Sequence, residues 1–346
     1  MDIKFKDEFE KLVDAIPNLY YLKEKTIFIT GSTGLIGRYL ISFLIYLNYT
    51  FNYNVTVVAN ARSFNSIRKT FDELVSSKYF RMSVGDINAP LKYWGNIDYI
   101  INCASNTHPM QYSTDPIGTI MTNVLGTRNI LELACSSQAK KVLFLSSVEI
   151  YGENKYGVEK FKEQDMGYID CNTLRACYNE AKRTGETLCQ AYIESKGIDV
   201  SVVRLPRIYG PTVKKDDSKV LSQFINKAIK GEDIVLKSEG KQYFSYLYVA
   251  DAISGMLTVL LNGVKGEAYN LGNIESDIHL KDLAELVASI AGTKVVFDLP
   301  SEVEKKGFSK AVDARLDYTK IIDKLGWKPL FSIEEGLRKT IDFLKY

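Results

Sequence analysis

Thr26-Ile27-Phe28-Ile29-Thr30-Gly31-Ser32-Thr33-Gly34-Leu35-Ile36-Gly37 decides how this chain is read. An apolar strand pattern runs into a glycine turn, and the apolar segment Tyr39-Leu40-Ile41-Ser42-Phe43-Leu44 follows at once. Strand, turn and helix in that order are the context a dinucleotide site requires. Gly31 permits the tight turn, Gly34 lets the main chain approach a pyrophosphate, and Gly37 lets helix and strand pack closely. Free N–H groups at the helix start then face the phosphates. The expected cofactor contacts of this turn are Gly31, Thr33, Gly34, Leu35, Ile36 and Gly37.

Outward from the turn, strand and helix patterns alternate. Strands are expected at 26–30, 55–59, 80–84, 99–103, 142–146 and 200–205, with 268–271 extending the sheet. Helices at 123–137 and 178–196 lie among them. Several strands are apolar throughout, as in a parallel sheet covered on both faces. The expected fold is α/β, a doubly wound parallel sheet of the Rossmann type with a smaller C-terminal substrate lobe. Residues 1–25 read as an N-terminal helical extension with Phe5, Phe9, Leu12, Val13 and Ile16 on one face. The dinucleotide-binding domain is expected over 26–205 plus about 242–272, and the substrate-binding lobe over about 206–241 and 273–346. That lobe would cover the carboxyl ends of the strands, where open α/β sheets bind ligands.

Composition narrows the classes. With 44 Lys and Arg against 42 Asp and Glu, the net charge of +2 gives no footing for nucleic acid. Five cysteines form no CxxC pair, so neither a zinc knuckle nor a redox dithiol is indicated. The two histidines, His108 and His279, stand in no metal-ligand or triad pattern, so no metal is expected. The N-terminus is too charged for a secretory leader, and 39–47 is too short to span a bilayer. A cytoplasmic protein with reduced thiols and no membrane partner is the expectation.

Acid–base chemistry must then come from other side chains. Tyr followed four residues later by Lys occurs five times, so position has to choose among the pairs. Tyr178 and Lys182 open a helix between two strands and share one helix face. An ordinary phenol titrates near pH ~10, and a neighbouring ammonium together with a positively charged nicotinamide ring would lower that value. Tyr178 could then take a proton from a hydroxyl while hydride leaves the same carbon. The buried strand Phe144-Leu145-Ser146-Ser147-Val148-Glu149-Ile150-Tyr151-Gly152 ends in hydroxyls and one carboxylate.

Glycines spaced GxxGxxG after a Thr, with serine, tyrosine and lysine in this order, resemble the extended short-chain dehydrogenase/reductases. Further likeness lies in Asp86-Ile87, Asp115-Pro116, Asn123-Val124-Leu125-Gly126-Thr127, Val249-Ala250-Asp251, Tyr269-Asn270-Leu271-Gly272 and Leu325-Gly326-Trp327-Lys328-Pro329. The run from Arg175 to Arg183, and Gly210-Pro211 with the charged loop 214–219, are similar to UDP-glucuronate decarboxylases. The resemblance covers nearly the whole chain after residue 25. It implies NAD(P)-dependent modification of a nucleotide-activated sugar through a keto intermediate, in polysaccharide or cell-envelope precursor synthesis. Ser147, Tyr178 and Lys182 would be catalytic, Glu149 a base beside the reacting carbon, and Ser147 also a substrate contact. Asp86 and Ile87 would meet adenine, with Ala104, Ser105, Asn123, Pro206, Tyr178 and Lys182 as further cofactor contacts. A homodimer through the helices at 123–137 and 178–196 is also implied, as a two-fold four-helix interface.

Three departures limit the transfer. The acidic residue usual after the second strand is Asn60, with Arg62 nearby. A carboxylate suits a ribose diol and an arginine a 2′-phosphate, so NAD and NADP both stand. The arginine usual seven residues before Asp251 is Phe244, while Arg207 stands where many members have asparagine. Arg207 is therefore a candidate for a relocated phosphate contact, with Phe244 beside the substrate. Lastly, Val148 replaces the aspartate of the dehydratases' Asp-Glu pair. Epimerisation is the first expectation. Decarboxylation or 4,6-dehydration using Glu149, and reduction to an activated polyol, are the alternatives. A non-catalytic nucleotide-binding scaffold is disfavoured, since a binder needs no activated phenol.

Overall fold

The structure is a computed structural model, and it describes residues 5–107, 109–214, 217–298 and 312–345. His108, residues 215–216 of the charged loop and 299–311 of the expected C-terminal lobe lie outside the described residues. Seven parallel strands form the main sheet: β1 (Thr26–Thr30), β2 (Thr56–Ala61), β3 (Phe80–Val84), β4 (Tyr99–Asn102), β5 (Lys141–Ser147), β6 (Val200–Leu205) and β10 (Ala268–Asn270). Their order is β10-β6-β5-β4-β1-β2-β3, the doubly wound arrangement. The order reverses between β1 and β4, which pair from Ile27 with Tyr99 to Thr30 with Asn102. A crevice at the carboxyl ends of these two strands is where such sheets take ligands.

Alternation along the strands builds the two faces. Ile27 and Ile29 of β1 face α1 (Lys6–Ala15), α2 (Leu35–Phe51) and α8 (Val249–Asn262). Phe28 points the other way, with Val142 and Phe144 of β5, toward α5 (Pro116–Ser137) and α6 (Ala176–Lys196). Both faces are apolar because both are covered by helices. α3 (Phe64–Phe71) and the short α4 (Pro109–Thr114) complete the helices of this half. The helix expected at 123–137 begins earlier, at Pro116, where the Asp115 carboxylate caps it by accepting from the Gly118 N–H at 2.9 Å.

A second sheet joins β7 (Arg207–Tyr209), β9 (Tyr243–Tyr248), β11 (Asp277–His279) and β13 (Asp313–Ala314), with β9 pairing all three others. β8 (Ile234–Leu236) and β12 (Val295–Phe297) pair in parallel nearby, beside α7 (Val220–Ile229) and α9 (Leu280–Ala291). Of the segment expected in the dinucleotide-binding domain at about 242–272, α8 and β10 serve the main sheet and β9 lies in the second one. β9 is buried on both faces, so its apolar run fits either sheet, and its ladder partners lie in the second one.

The N-terminal extension packs as part of the core. Phe5, Phe9, Leu12 and Ile16 are buried, and Phe5 and Phe9 pack on Tyr39, with ring centroids 5.1 and 5.3 Å away. Glu8, also buried, accepts from the Tyr39 hydroxyl at 2.6 Å and from the Tyr248 hydroxyl at 2.9 Å. Lys339, on the helix Ile333–Lys345, lies 3.5 Å from the same carboxylate. Among the described residues no helix is long and apolar enough to cross a membrane.

Candidate active site

The glycine turn fits a dinucleotide. Gly31 has φ +59°, and a Cβ there would meet the Ala104 nitrogen at 2.8 Å. At Gly37 a Cβ would sit 2.5 Å from the Gly31 oxygen, whereas at Gly34 only that oxygen lies near, at 3.2 Å. Gly31 and Gly37 are thus closed by this chain's own backbone, and Gly34 turns its bare face outward. Gly34 also caps α2 without any side-chain hydrogen bond, and no acidic residue stands in the first turn. The N–H groups of Leu35, Ile36 and Gly37 begin a helix whose positive end is left for an anion. Across the reversal point the Thr30 hydroxyl donates to Asn102 at 2.7 Å and accepts from the Ala104 N–H at 3.1 Å. This bond holds the turn against the β4 end.

Other expected cofactor residues divide. Asn60 is 1% exposed and its amide donates to the Ser83 carbonyl at 3.3 Å, so it braces β2 against β3. Asn60, the candidate at the position of the usual ribose-binding carboxylate, thus has its amide turned toward Ser83 and Gly85. Arg62 is exposed just beyond β2. Asp86 is exposed and caps its own turn through the Asn88 N–H, while Ile87 is buried under Gly126. Ser105 donates to Asn123 at 2.8 Å, and the Asn123 amide donates back to the Thr119 carbonyl. Pro206 is buried between β6 and β7, and Thr33 is half-buried.

Tyr178 and Lys182 sit in the first turns of α6, both 4% exposed. The Ser147 and Ser105 hydroxyls lie against the Tyr178 phenol and lower its pKa, yet burial dominates and pushes it up to about 12. Lys182 donates to the Leu145 carbonyl at 2.7 Å and lies 5.8 Å from the Tyr178 ring centre. Burial lowers its pKa to about 8. The expected lowering of the phenol by Lys182 is therefore not what the protein alone provides. The ammonium is aimed at a β5 carbonyl, and desolvation of the phenol outweighs its neighbours.

Glu149 lies one short turn beyond Ser147, whose hydroxyl accepts from the Glu149 N–H at 3.2 Å. Its carboxylate faces Arg175 at 3.2 Å on one oxygen and Arg207 at 4.0 Å on the other. Asn179 donates to the Glu149 carbonyl at 2.8 Å. The Arg207 guanidinium lies 3.6 Å over the ring of Phe244, so these two residues share one place. Tyr112 stacks on Tyr178 with ring centres 4.9 Å apart, and Arg175 lies 4.9 Å over the Tyr112 ring. Tyr112, Arg175 and Asn179 were missed as site residues. Arg175 and Asn179 flank Tyr178 in sequence and were within reach of the same reasoning, whereas Tyr112 carries no local signal. Behind the site, Arg204 grips Glu186 at 2.7 and 3.0 Å and donates to the Tyr151 hydroxyl at 2.9 Å, tying α6 to β6.

Known proteins resemble this chain in both sequence and fold. The profile of the NAD dependent epimerase/dehydratase family matches residues 27–272. UDP-glucuronic acid decarboxylase 1 of Xenopus tropicalis is 32% identical over 332 residues, 95% of this chain and 75% of that protein. UDP-glucuronic acid decarboxylase 6 of Arabidopsis thaliana is 29% identical, over 92% of this chain and 88% of that one. Among solved structures, a dTDP-glucose 4,6-dehydratase from Streptomyces venezuelae with NAD bound superposes with TM-score 0.79 at 22% identity, covering 92% of this chain and 97% of that one. UDP-glucose 4-epimerase from Thermotoga maritima gives 0.78 at 22%, covering 92% and 98%.

Proposed function

The chain belongs to the NAD-dependent epimerase/dehydratase family, and from that premise we propose that it is an NAD(P)-dependent decarboxylase of a nucleotide-linked uronic acid, acting through a transient ketone. One observation carries the reading: Ser147, Tyr178, Lys182 and Glu149 converge at the carboxyl edge of the sheet. Bound at the glycine turn, NAD or NADP supplies a hydride acceptor and the positive ring that the buried phenol lacks.

Tyr178 takes the proton of the hydroxyl on the carbon to be oxidised, and Ser147 donates to the same oxygen. Lys182 holds its ammonium under that pair and reaches for the cofactor ribose. A ketone next to the carbon bearing the carboxylate makes a β-keto acid, which loses carbon dioxide as the bonding electrons move into the carbonyl. Tyr178 and Ser147 are placed to stabilise the charge gathering on that oxygen. Dehydration needs a proton for a leaving hydroxyl, and Val148 has none to give. Decarboxylation needs no acid for a leaving hydroxyl. The enolate left behind takes a proton from solvent at the carbon that lost carbon dioxide, and as the hydride returns to the ketone Tyr178 gives its proton back to the oxygen. Epimerisation, put first on sequence, yields to this reading because the curated relatives near 30% identity are named decarboxylases.

The second sheet with its helices would carry the sugar nucleotide over the crevice. The exposed Ile117, Ile120, Met121 and Leu125 form one stripe on α5, which supports a homodimer through α5 and α6. The test of function is incubation with NAD or NADP and a panel of nucleotide sugars, with products identified by mass spectrometry and NMR. Release of carbon dioxide from a nucleotide-linked uronic acid is expected. Inversion of a hydroxyl with no loss of mass would return the reading to epimerisation.

A further inference from the structure

Arg175 and Arg207 stand on opposite sides of Glu149, each facing a different carboxylate oxygen. Each guanidinium is also seated on an aromatic face, Arg175 on Tyr112 and Arg207 on Phe244. Stacking fixes the plane of a guanidinium and leaves its in-plane donors to an anion. Two fixed positive charges therefore meet a single carboxylate, and among the described residues no second carboxylate reaches either of them. Arg207, 28% exposed against 43% for Arg175, is the more enclosed of the two, and Glu149 meets it at 4.0 Å, longer than a hydrogen bond. The Arg207 Nη1 atom is buried and has no hydrogen-bond partner among the described residues, so a donor is held in place with nothing to receive it. Such a donor carries a desolvation cost unless a ligand satisfies it.

The strand register explains how Arg207 reaches this place. β7 and β9 run parallel with Arg207 opposite Tyr246, and Phe244 lies two residues before Tyr246. Side chains two apart share a sheet face, so Arg207 projects into the space above Phe244. Glu149 follows Ser147 by two residues and donates its N–H to the Ser147 hydroxyl, so a guanidinium facing Glu149 lies at the same end of β5 as that serine.

We propose that Arg207, seated on Phe244 and paired across Glu149 with Arg175, binds the carboxylate of the substrate sugar and selects uronic acids over neutral sugars. This rests on the nucleotide-sugar reading above and adds the residue that enforces it. The anion that completes the site carries one charge and sits next to Tyr178. The diphosphate, on the far side of the sugar ring, is bound elsewhere.

Calorimetry with UDP, UDP-glucose and UDP-glucuronic acid tests this on the wild type, Arg207→Gln and Arg207→Lys. Loss of a charge-assisted contact should weaken UDP-glucuronic acid about ten- to a hundredfold in Arg207→Gln, with UDP and UDP-glucose within about threefold. Arg207→Lys keeps the charge without the stacked fork, so it should recover part of the loss and guards against a folding defect. Equal weakening of all three ligands would assign Arg207 to the diphosphate and overturn the proposal. Unchanged affinity for UDP-glucuronic acid would overturn it as well, leaving the functional reading intact. A wild type that binds NAD or NADP but none of the three probes would overturn both.

Discussion

Replacing Lys182 by Met should make the fold more tolerant of neutral pH while ending catalysis, and the size of the effect follows from the site. Lys182 is 4% exposed, and burial lowers its pKa from 10.5 to about 8. Between those values the unfolded chain keeps a proton that the folded chain has lost, so this group makes stability rise with pH. Below the folded value both states are charged, and burying the ammonium costs the folded state about 3 kcal/mol at roughly 1.4 kcal/mol per pH unit. Above the unfolded value the cost is gone. Tyr178, pushed up to about 12, has the opposite slope above its ordinary value. That slope is common to both proteins and cancels in the comparison. Urea unfolding of cofactor-free wild type and Lys182→Met should therefore show the wild type gaining about 2 kcal/mol on the variant between about pH 7 and about pH 9.5. A constant difference would mean that Lys182 is neutral already at pH 7, or solvated, and would refute the argument.

Tyr178→Phe should keep the stack on Tyr112 and bind cofactor within about threefold of wild type, while turnover falls at least about a hundredfold. Initial rates and cofactor titration check both halves. Gly37→Ala, whose Cβ would strike the Gly31 and Ser32 backbone at 2.5–2.8 Å, should cost about 1–3 kcal/mol of stability in thermal melts. Gly34→Val, with only the Gly31 oxygen near its Cβ, should melt almost normally and lose dinucleotide affinity by calorimetry. Unchanged affinity there would mean the pyrophosphate lies elsewhere. Ile117→Glu with Met121→Glu on the exposed α5 stripe should give a monomer by light scattering; a dimer that survives would place the interface on another surface.

The glycine turn was legible because its chemistry belongs to the local main chain, where residue type and spacing nearly determine conformation. Tyr178 was legible through topology, since only one of five Tyr–Lys pairs stood on a helix entering the right sheet edge. What escaped depends on pairing across long separations. The strand character of β9 could be read, but an apolar run covered on both faces does not say which ladder it joins. Asn60 stands at the expected strand end, yet pattern alone cannot show its amide turning toward Ser83. The Tyr112 stack joins α4 to α6 through residues that signal nothing to each other in sequence. Arg207 and Phe244 were each noticed as departures, and only the register of β7 on β9 makes them one feature.

The Glu8 carboxylate has a consequence for how the molecule can come apart. One acidic group on α1 holds the hydroxyls of Tyr39, behind the glycine turn, and Tyr248, at the end of β9, with Lys339 beside it. The first helix is thus a keystone, wedged where three distant stretches of chain meet. A chain shortened to begin near residue 25 would bare an aromatic trench and strand two buried phenols. Phe5, Phe9, Leu12 and Ile16, at about 1.5–3 kcal/mol each, represent a gross loss on the order of the whole stability of an ordinary domain. Such a shortened chain should aggregate during expression. Adding the first 24 residues back as a separate peptide would be the natural route to reassembling it.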